Sequence, residues 1–423
     1  MRANSEKEEK TMKATTFVEY FPPKLGSDRR IFEIMRRLSR KHELQFIVVP
    51  PFRMLSGDLP LTRELFRHFQ KRRTVVSCNG IIGHYISIEY ITHRLWQSSY
   101  ILAYILTLVL LFREVIKTVK RINPQVVVLN YPSVSTGILG LVVGKILRKS
   151  VVLDFNDLIA QYTACLLELE RSSLKAKVLA FFQDLIVKNC DKIVAVTNFV
   201  KNYSLALGVD RRKIVVIPNG VDTELFNPNN YDRDRVRSEL NLGNNKVCLY
   251  CGRLDDWAGL NIIKNLCKVS QKKCPDVKFV IVGGELGIFD NLEVVVAVGE
   301  VPHEEVPRIM VAADVVLVPF PENAVSHAAS PLKLFEGMAM EKPVIASKVH
   351  GIAEIVTNGE NGMLVDPSNI DEWLQVVSYV LNSKSIATKI GKRARGTVEA
   401  RYEWNTLAKQ YEEVLLKTIS MFT

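Results

Sequence analysis

No stretch of this 423-residue chain is apolar for long enough to cross a bilayer: the longest run, Tyr100 to Phe112, has thirteen residues, where a helical span needs about 20. The opening segment MRANSEKEEKTMK carries charges where a secretory signal needs an apolar core, so secretion is not expected. Residues 1–11 read as a disordered extension, with the fold starting at Met12. The seven cysteines are odd in number, scattered through apolar runs, and lack the paired spacing of a zinc site. A reduced, cytosolic compartment follows, with Cys248 and Cys251 of VCLYCGRL read as part of a strand core. Internal repeats, low-complexity tracts and basic–aromatic nucleic-acid modules are also missing, so nucleic acid is not an expected partner.

What is present is an uneven field. Through residue 215 there are 34 Lys and Arg against 18 Asp and Glu, a balance of +16, and the remainder carries −5. A basic amino-terminal half attracts anions, either phosphorylated small molecules or a membrane surface bearing anionic lipids. Arg36, Arg37, Arg40 and Lys41 fall on an amphipathic helix whose charged side is equally explained as a solvated face. The run YILAYILTLVLLF, followed by basic REVIKTVKR and preceded by Trp96, fits a buried helix or one lying in the bilayer interface through residues 100–112.

Short β-rich runs alternate with helical stretches from end to end, the pattern of parallel sheets with crossover helices. Strands are predicted at 14–18, 44–49, 74–77, 84–89, 125–129, 150–154 and 192–196, and then at 246–251, 277–282, 293–297, 314–318, 343–346 and 363–365. Helices are predicted over 28–41 and 101–121, among others. Each half reads as its own doubly wound domain. The chain passes between them at VIPNGVDTELFNP, where Pro218, Asn219 and Gly220 interrupt regular structure. The expected division is 12–218 and 219–402, with 403–423 a helix packing back across both.

Open parallel sheets bind ligands beyond the carboxyl ends of their strands, so the loops after strands hold the candidates. Gly252 and Arg253 follow one strand, glycine permitting close backbone approach and arginine offering a fork of donors to phosphate oxygens. Gly283 and Gly284 end the next. In SPLKLFEGMAM, Ser330 is predicted as N-cap and Pro331 as first helical residue, with a helix over Leu332 to Met340. The unpaired N–H groups of such a helix end suit an anion, and Lys333 in the first turn suits a bound negative group. Glu336 either accepts the hydroxyls of a ribose or pairs with Lys333 one turn away. Asp154 and Asp157 of VVLDFNDLI are candidates for orienting an acceptor. Asp157 either takes a proton from it or caps the following helix.

The segments AVTNFVKNY, VIPNGVDTELFNP, YCGRL, VPHEEVPRIMVAADVVLVPF, SPLKLFEGMAMEKPVIAS, GIAEIVTNGENGMLVDP and RYEWNTLAKQYEEV resemble the retaining family-4 glycosyltransferases, in order, over most of residues 185–415. Over the first 150 residues the resemblance is limited to PPKLGSDRRIFEIMRRLSRKHEL. It implies an α/β chain of the GT-B class, two doubly wound Rossmann-like domains facing a central cleft. It also implies a nucleotide-sugar donor bound mainly by the second domain, no cofactor and no essential metal. Arg253 would meet the diphosphate, Glu336 the ribose, and Gly26, with Ser27 and Asp28 beside it, donor phosphate or acceptor.

The sequence departs from that pattern in three places. Ala258 stands where the family usually has a lysine, five residues after the arginine, and Lys333 is the candidate substitute. Ala328 stands eight residues before Glu336, where a carboxylate commonly contacts the sugar. Asn156 precedes Asp157 where a strand-His-Asp context is common, and His327 lies in the loop before Ser330. The expected activity is transfer of a hexose from a UDP- or GDP-sugar to a lipid-linked or polysaccharide acceptor, in the cytoplasm or on the inner face of the cell membrane. A degenerate donor-binding subunit and a nucleotide-sugar epimerase are the competing readings.

Overall fold

The computed structural model describes residues 11–23, 26–49, 75–86, 100–133, 136–166, 169–170, 172–284 and 287–421, without the side chains of 26, 27 and 100–108. Residues 1–10, position 74, residues 87–89 and Trp96, all named above, lie outside them. The chain divides into two units. The first contains residues 1–195, 203–215 and 408–423, and the second contains 196–202 and 216–407. Placement of 196–202 with the second unit follows from local bonds: the Thr197 hydroxyl donates to the Ala328 carbonyl at 3.2 Å, and Asn198 donates through backbone and side chain to Glu354. The helix Trp404–Ser420 has its first turn in the second unit and its remainder in the first.

In the first unit β1 (Lys13–Val18), helix α1 (Gly26–Leu38), β2 (Glu43–Val48), β3 (Val75–Cys78) and β4 (Ile81–Tyr85) come first. Helix α2 (Tyr100–Ile122), β5 (Val126–Leu129), helix α3 (Thr136–Ile146) and β6 (Ser150–Phe155) follow. Helices α4 (Ile159–Leu166) and α5 (Leu174–Asn189), then β7 (Lys192–Ala195) and β8 (Ile214–Val216), complete the series, and helix α6 (Asn198–Ala206), between β7 and β8, begins in the second unit and ends in the first. The sheet order is β3-β4-β2-β1-β5-β6-β7-β8. Strands β5 and β6 are buried throughout, as expected of parallel strands covered on both faces.

One edge differs from the sequence expectation. β4 ends at Tyr85 rather than running 84–89, and it pairs antiparallel with β3, Cys78 opposite Ile81. Asn79 and Gly80 both have positive φ (46° and 80°), the geometry of a two-residue hairpin turn. That Asn-Gly pair is the signal that starts the second strand at Ile81, three residues ahead of its predicted start.

In the second unit β9 (Lys246–Cys251), helix α7 (Leu260–Lys273), β10 (Val277–Val282), β11 (Val295–Gly299), β12 (Val315–Val318), helix α8 (Leu332–Ala339), β13 (Val344–Ser347) and β14 (Met363–Val365) form the sheet and its flanking helices. The order is β11-β10-β9-β12-β13-β14, all pairs parallel. One face is packed by Leu249, Val316, Leu334 and Met338, the other by Cys248, Ile281, Leu317 and the fully buried Trp373. Cys248 lies in that core, and Cys251, part-buried, ends the strand.

Candidate functional site

In each sheet one strand has its successor on one side and a later strand on the other. β9 lies between β10 and β12, and β1 between β2 and β5. The loops leaving these strands diverge there, opening a crevice at the carboxyl edge where ligands bind in open α/β sheets. Gly26 follows β1 and Gly252 and Arg253 follow β9, at these two points, while Gly283 and Gly284 follow the neighbouring β10 and Asp157 follows β6.

In the second unit Gly252 has φ 146°, and a Cβ there would lie 3.0 Å from Lys333 Nζ. Glycine is what lets the lysine approach the backbone. Gly283 carries φ 125°, and a Cβ on it would meet the Gly252 carbonyl oxygen at 2.1 Å, so this position excludes any side chain. Gly284 abuts Leu254. Lys333 rises from the first turn of α8 with Nζ 4.2 Å from the Tyr250 ring centre and 5.2 Å from that of Phe320. The aromatic faces hold the cation, while burial pushes its pKa down to about 8 against the opposing pull of Cys251 and Glu336. Tyr250, on β9, and Phe320, in the loop after β12, were not foreseen, because nothing in the sequence signals which aromatics lie beneath a lysine that follows them by about eighty and about a dozen residues.

Arg253 leaves β9 into solvent, its Nε 2.6 Å from Asp255 Oδ2, the oxygen that also accepts from Trp257 Nε1 at 3.2 Å. The side chain keeps 47% of its exposure, so the guanidinium is held at its root and open at the surface. Ser330 is not the helix cap. Pro331 occupies that place without a side-chain bond, and the Ser330 hydroxyl accepts from the Asn219 N–H at 3.3 Å. The Asn219 amide also donates to the Ser330 carbonyl, so the interrupted strand end at 218–220 anchors the loop before α8. Helix α8 therefore begins at Leu332 with no side chain closing its amino end. Glu336, nearly buried, has its Oε1 2.8 Å from His303 Nε2 rather than in an ion pair with Lys333. His303 was quoted within VPHEEVP but given no role. Its ring rests 5.4 Å from Phe226.

His327 forms a chain of its own. Its Nε2 lies 2.8 Å from Glu322, its Nδ1 2.8 Å from His350 Nδ1, and Phe199 stacks on its ring. Ala258 and Ala328 are both buried, 2% and 1% exposed, and pack as core.

In the first unit Gly26 opens α1, and Asp28 in its first turn is buried. Asn130 donates to Asp28 Oδ1 at 3.0 Å, and Asn156 donates to Asn130 Oδ1 at 3.2 Å. Asp28 Oδ2 and Asn156 Oδ1 are buried without a partner. Burial, with Glu19 and Asp157 nearby, drives the Asp28 pKa well up. Tyr131, next to Asn130, holds φ 148°, a strained value for a residue with a side chain. Asp157 sits beyond β6, its pKa raised to about 7 by burial and by Asp154, with Arg30 opposing. Its backbone carbonyl accepts from the Ile159 N–H at 2.9 Å. Asp154 is not available to an acceptor: it is fully buried, and Arg30, also fully buried, grips it through Nε and Nη2 at 3.1 to 3.2 Å. Among the described residues no group of three His, Cys, Asp or Glu is arranged to hold a metal, and no helix is long and apolar enough to cross a membrane.

Two family models match the chain in succession, Glycosyltransferase Family 4 over residues 26–225 and Glycosyl transferases group 1 over 232–397. Among curated proteins, the GDP-mannose-dependent alpha-(1-6)-phosphatidylinositol monomannoside mannosyltransferase of Mycolicibacterium smegmatis is 27% identical over 47% of this chain and 55% of its own length. The lipopolysaccharide 1,2-N-acetylglucosaminetransferase of Salmonella typhimurium is 26% identical over 55% of this chain and 64% of its own. The chain thus spans about half to two thirds of the length of the curated relatives it matches. Among solved structures, sucrose-phosphate synthase from Thermosynechococcus elongatus aligns with a TM-score of 0.73 at 18% identity, covering 96% of this chain and 99% of that one. Anabaena HepE in complex with UDP-glucose aligns at 0.70 and 18%, covering 96% and 100%. These likenesses establish the fold as GT-B.

Proposed function

We propose, for a chain that belongs to the family-4 glycosyltransferases, that it moves a hexose from a UDP- or GDP-sugar to a hydroxyl of a lipid-linked or glycan acceptor, with retention at the anomeric carbon. The observation that carries this reading is the cation held at the switch point of the second sheet. Lys333 Nζ stands over Tyr250 and Phe320 against the open backbone of Gly252, at the uncapped start of α8. A diphosphate at this point meets an ammonium, helix N–H groups and the Arg253 fork.

As the glycosidic bond breaks, negative charge grows on the leaving diphosphate, and donors already in place there stabilise it without reorganisation. Glu336 accepts ribose hydroxyls through the carboxylate that His303 holds. The acceptor proton goes to Asp157, whose raised pKa suits a base near neutral pH. No residue in this scheme needs a metal. The Mycolicibacterium relative's name gives a GDP-mannose donor and a phosphatidylinositol mannoside acceptor, the Salmonella relative's name a lipopolysaccharide, and HepE was solved with UDP-glucose. They support the donor and acceptor classes. The same proposal puts the chain on the inner face of the cell membrane, in contact through residues 100–112.

The test is a thermal-shift screen of UDP, GDP, ADP and their sugars, since a ligand that binds only the folded state raises its melting temperature, followed by turnover of the donor that binds. Arg253→Ala is expected to cut kcat by roughly 100-fold or more, the scale for loss of one donor to a developing oxyanion. A rate within a factor of about two of the parent would remove Arg253 from that role. A second reading keeps its place because Ala258 and Ala328 are core residues here: nucleotide binding with no turnover across an acceptor panel would make the chain a donor-binding subunit.

A further inference from the structure

Helix α5 is apolar on two opposite sides. Gln183, Ile186 and Val187 are buried and Ala176, Leu179 and Ala180 partly so, which accounts for its packing on the first unit. Leu174, Val178, Phe181 and Leu185 are exposed at 78%, 43%, 62% and 38%. At 100° per residue these four fall within about 60° of one another, diametrically across from the buried side. A surface helix needs one apolar stripe, and scattered exposed leucines need no explanation, but a second ordered stripe does.

The stripe does not stand alone. Helix α3 packs so close to α5 that a Cβ on Gly137 would lie 2.8 Å from Ile186. On its outward side α3 exposes Val142 at 39% and, one turn on, Ile146 at 56%. Helix α2, which packs on α3, exposes Val109 at 57%. Three adjoining helices thus turn apolar side chains outward.

On the helix itself the exposed charge is of one sign, with exposed Glu170 in the turn that precedes it. Lys175, Lys177 and Lys188 are exposed on α5 at its margins. Asp184, the acidic residue of the helix, is part-buried and accepts a hydrogen bond from Tyr203 at 2.6 Å. An apolar stripe bordered by lysines, whose stems lie along it while the ammonium groups reach out, matches a surface with hydrocarbon beneath and phosphate above. A second copy fits poorly, since a two-fold interface would set lysine rows against lysine rows.

We propose that the outward face of α5, continued by Val142 and Ile146 of α3, is a docking surface for an anionic lipid bilayer. The side chains Leu174, Val178, Phe181 and Leu185 enter the headgroup boundary, and Lys175, Lys177 and Lys188 meet lipid phosphates. The inference adds a second contact to the one proposed through residues 100–112. It is read without turnover, so it stands or falls apart from the transferase reading.

The experiment is co-sedimentation of the full chain with phosphatidylcholine vesicles, with and without phosphatidylglycerol. The parent is expected to bind the anionic vesicles and to leave the neutral ones in solution. Phe181→Ser with Leu185→Ser, and separately Lys177→Glu with Lys188→Glu, should each lower the bound fraction by roughly tenfold or more, at the scale of about 1 kcal/mol per basic residue near such a surface. Because the altered side chains face outward, the thermal midpoint should stay where it was. The proposal is overturned if the parent ignores anionic vesicles or binds both kinds equally, or if both variants bind as the parent does. It is also overturned if light scattering shows a dimer that the serine variant splits, which assigns the face to a second copy. A lowered thermal midpoint in the serine variant without vesicle binding by the parent assigns it to this chain itself.

Discussion

Lys333 offers a handle on the proposed donor site because its charge can be removed by pH alone. Burial between Tyr250 and Phe320 lowers its pKa to about 8, so the free protein loses this ammonium well before an ordinary lysine would. A diphosphate favours the charged form, and donor binding therefore takes up a proton as pH rises past 8. If the ammonium is required, apparent Kd rises about tenfold between pH 7 and pH 9, or about 1.4 kcal/mol. The sign for the unliganded fold is opposite: the unfolded chain holds that proton up to an ordinary lysine pKa, so stability rises with pH above about 8. Isothermal titration of UDP-glucose and GDP-mannose across this range, in buffers of different ionisation enthalpy, measures affinity and proton uptake together. Lys333→Met should bind more weakly at pH 7 and lose the slope, while any ionisation of the nucleobase persists in both proteins. A parent Kd flat between pH 7 and 9, or a slope unchanged in Lys333→Met, would refute the placement of the diphosphate on this lysine.

Three further outcomes follow from the same geometry. Because Asp157 is raised to about 7, transfer should fall on the acid side of that pH as the carboxylate takes its proton; Asp157→Asn should lower kcat roughly 100-fold and abolish that limb, and a limb that survives excludes Asp157 as the base. His303→Ala should raise the donor KM about tenfold with little change in kcat and reduce the discrimination against 2′-deoxy donors, with partial rescue by His303→Gln. Equal loss for ribo and deoxy donors would mean that His303 does not act through Glu336. Arg30→Met leaves Asp154 buried without its partner and should cost about 3 to 5 kcal/mol in denaturant unfolding; a loss under about 1 kcal/mol would show the pair to be dispensable.

Most of the fold was legible because parallel strands covered on both faces must be apolar throughout. The runs VVVL at 126–129, VKFVIV at 277–282 and VVLV at 315–318 announce themselves to within a residue of their ends. β3 (predicted at 74–77) was read to within a residue but β4 (predicted at 84–89) was displaced, and both were harder to place for the converse reason. Their exposures alternate along an edge hairpin, so the apolar signal is thin, and the register rests on the backbone of Asn79 and Gly80. Segment 196–202 escaped because the bonds that carry it into the second unit run from Thr197 and Asn198 to Ala328 and Glu354, more than a hundred residues on. Composition holds no trace of such pairings.

The same division runs through the candidate site. Gly252, Gly283 and the start of α8 were visible because backbone approach and helix starts are local properties. The partners that decide what each charge can do were not. Asp154 and Asp157 look alike in VVLDFNDLI, yet Arg30, contributed by α1, removes the first from any ligand and only moderates the second. Ser330 looks like a cap and is instead held by Asn219. Lys333 was read as a cation set against the helix dipole by its ligand. Its aromatic seat favours that charge before any ligand arrives, while burial makes the charge costly enough for a modest rise in pH to remove it. On the proposed reading, a site prepared in this way does not need the lysine absent at Ala258, whose side chain is buried and whose carbonyl accepts from the Tyr250 hydroxyl at 3.2 Å. Restoring that lysine by Ala258→Lys should therefore not strengthen donor binding. It should destabilise the fold, because the position is core.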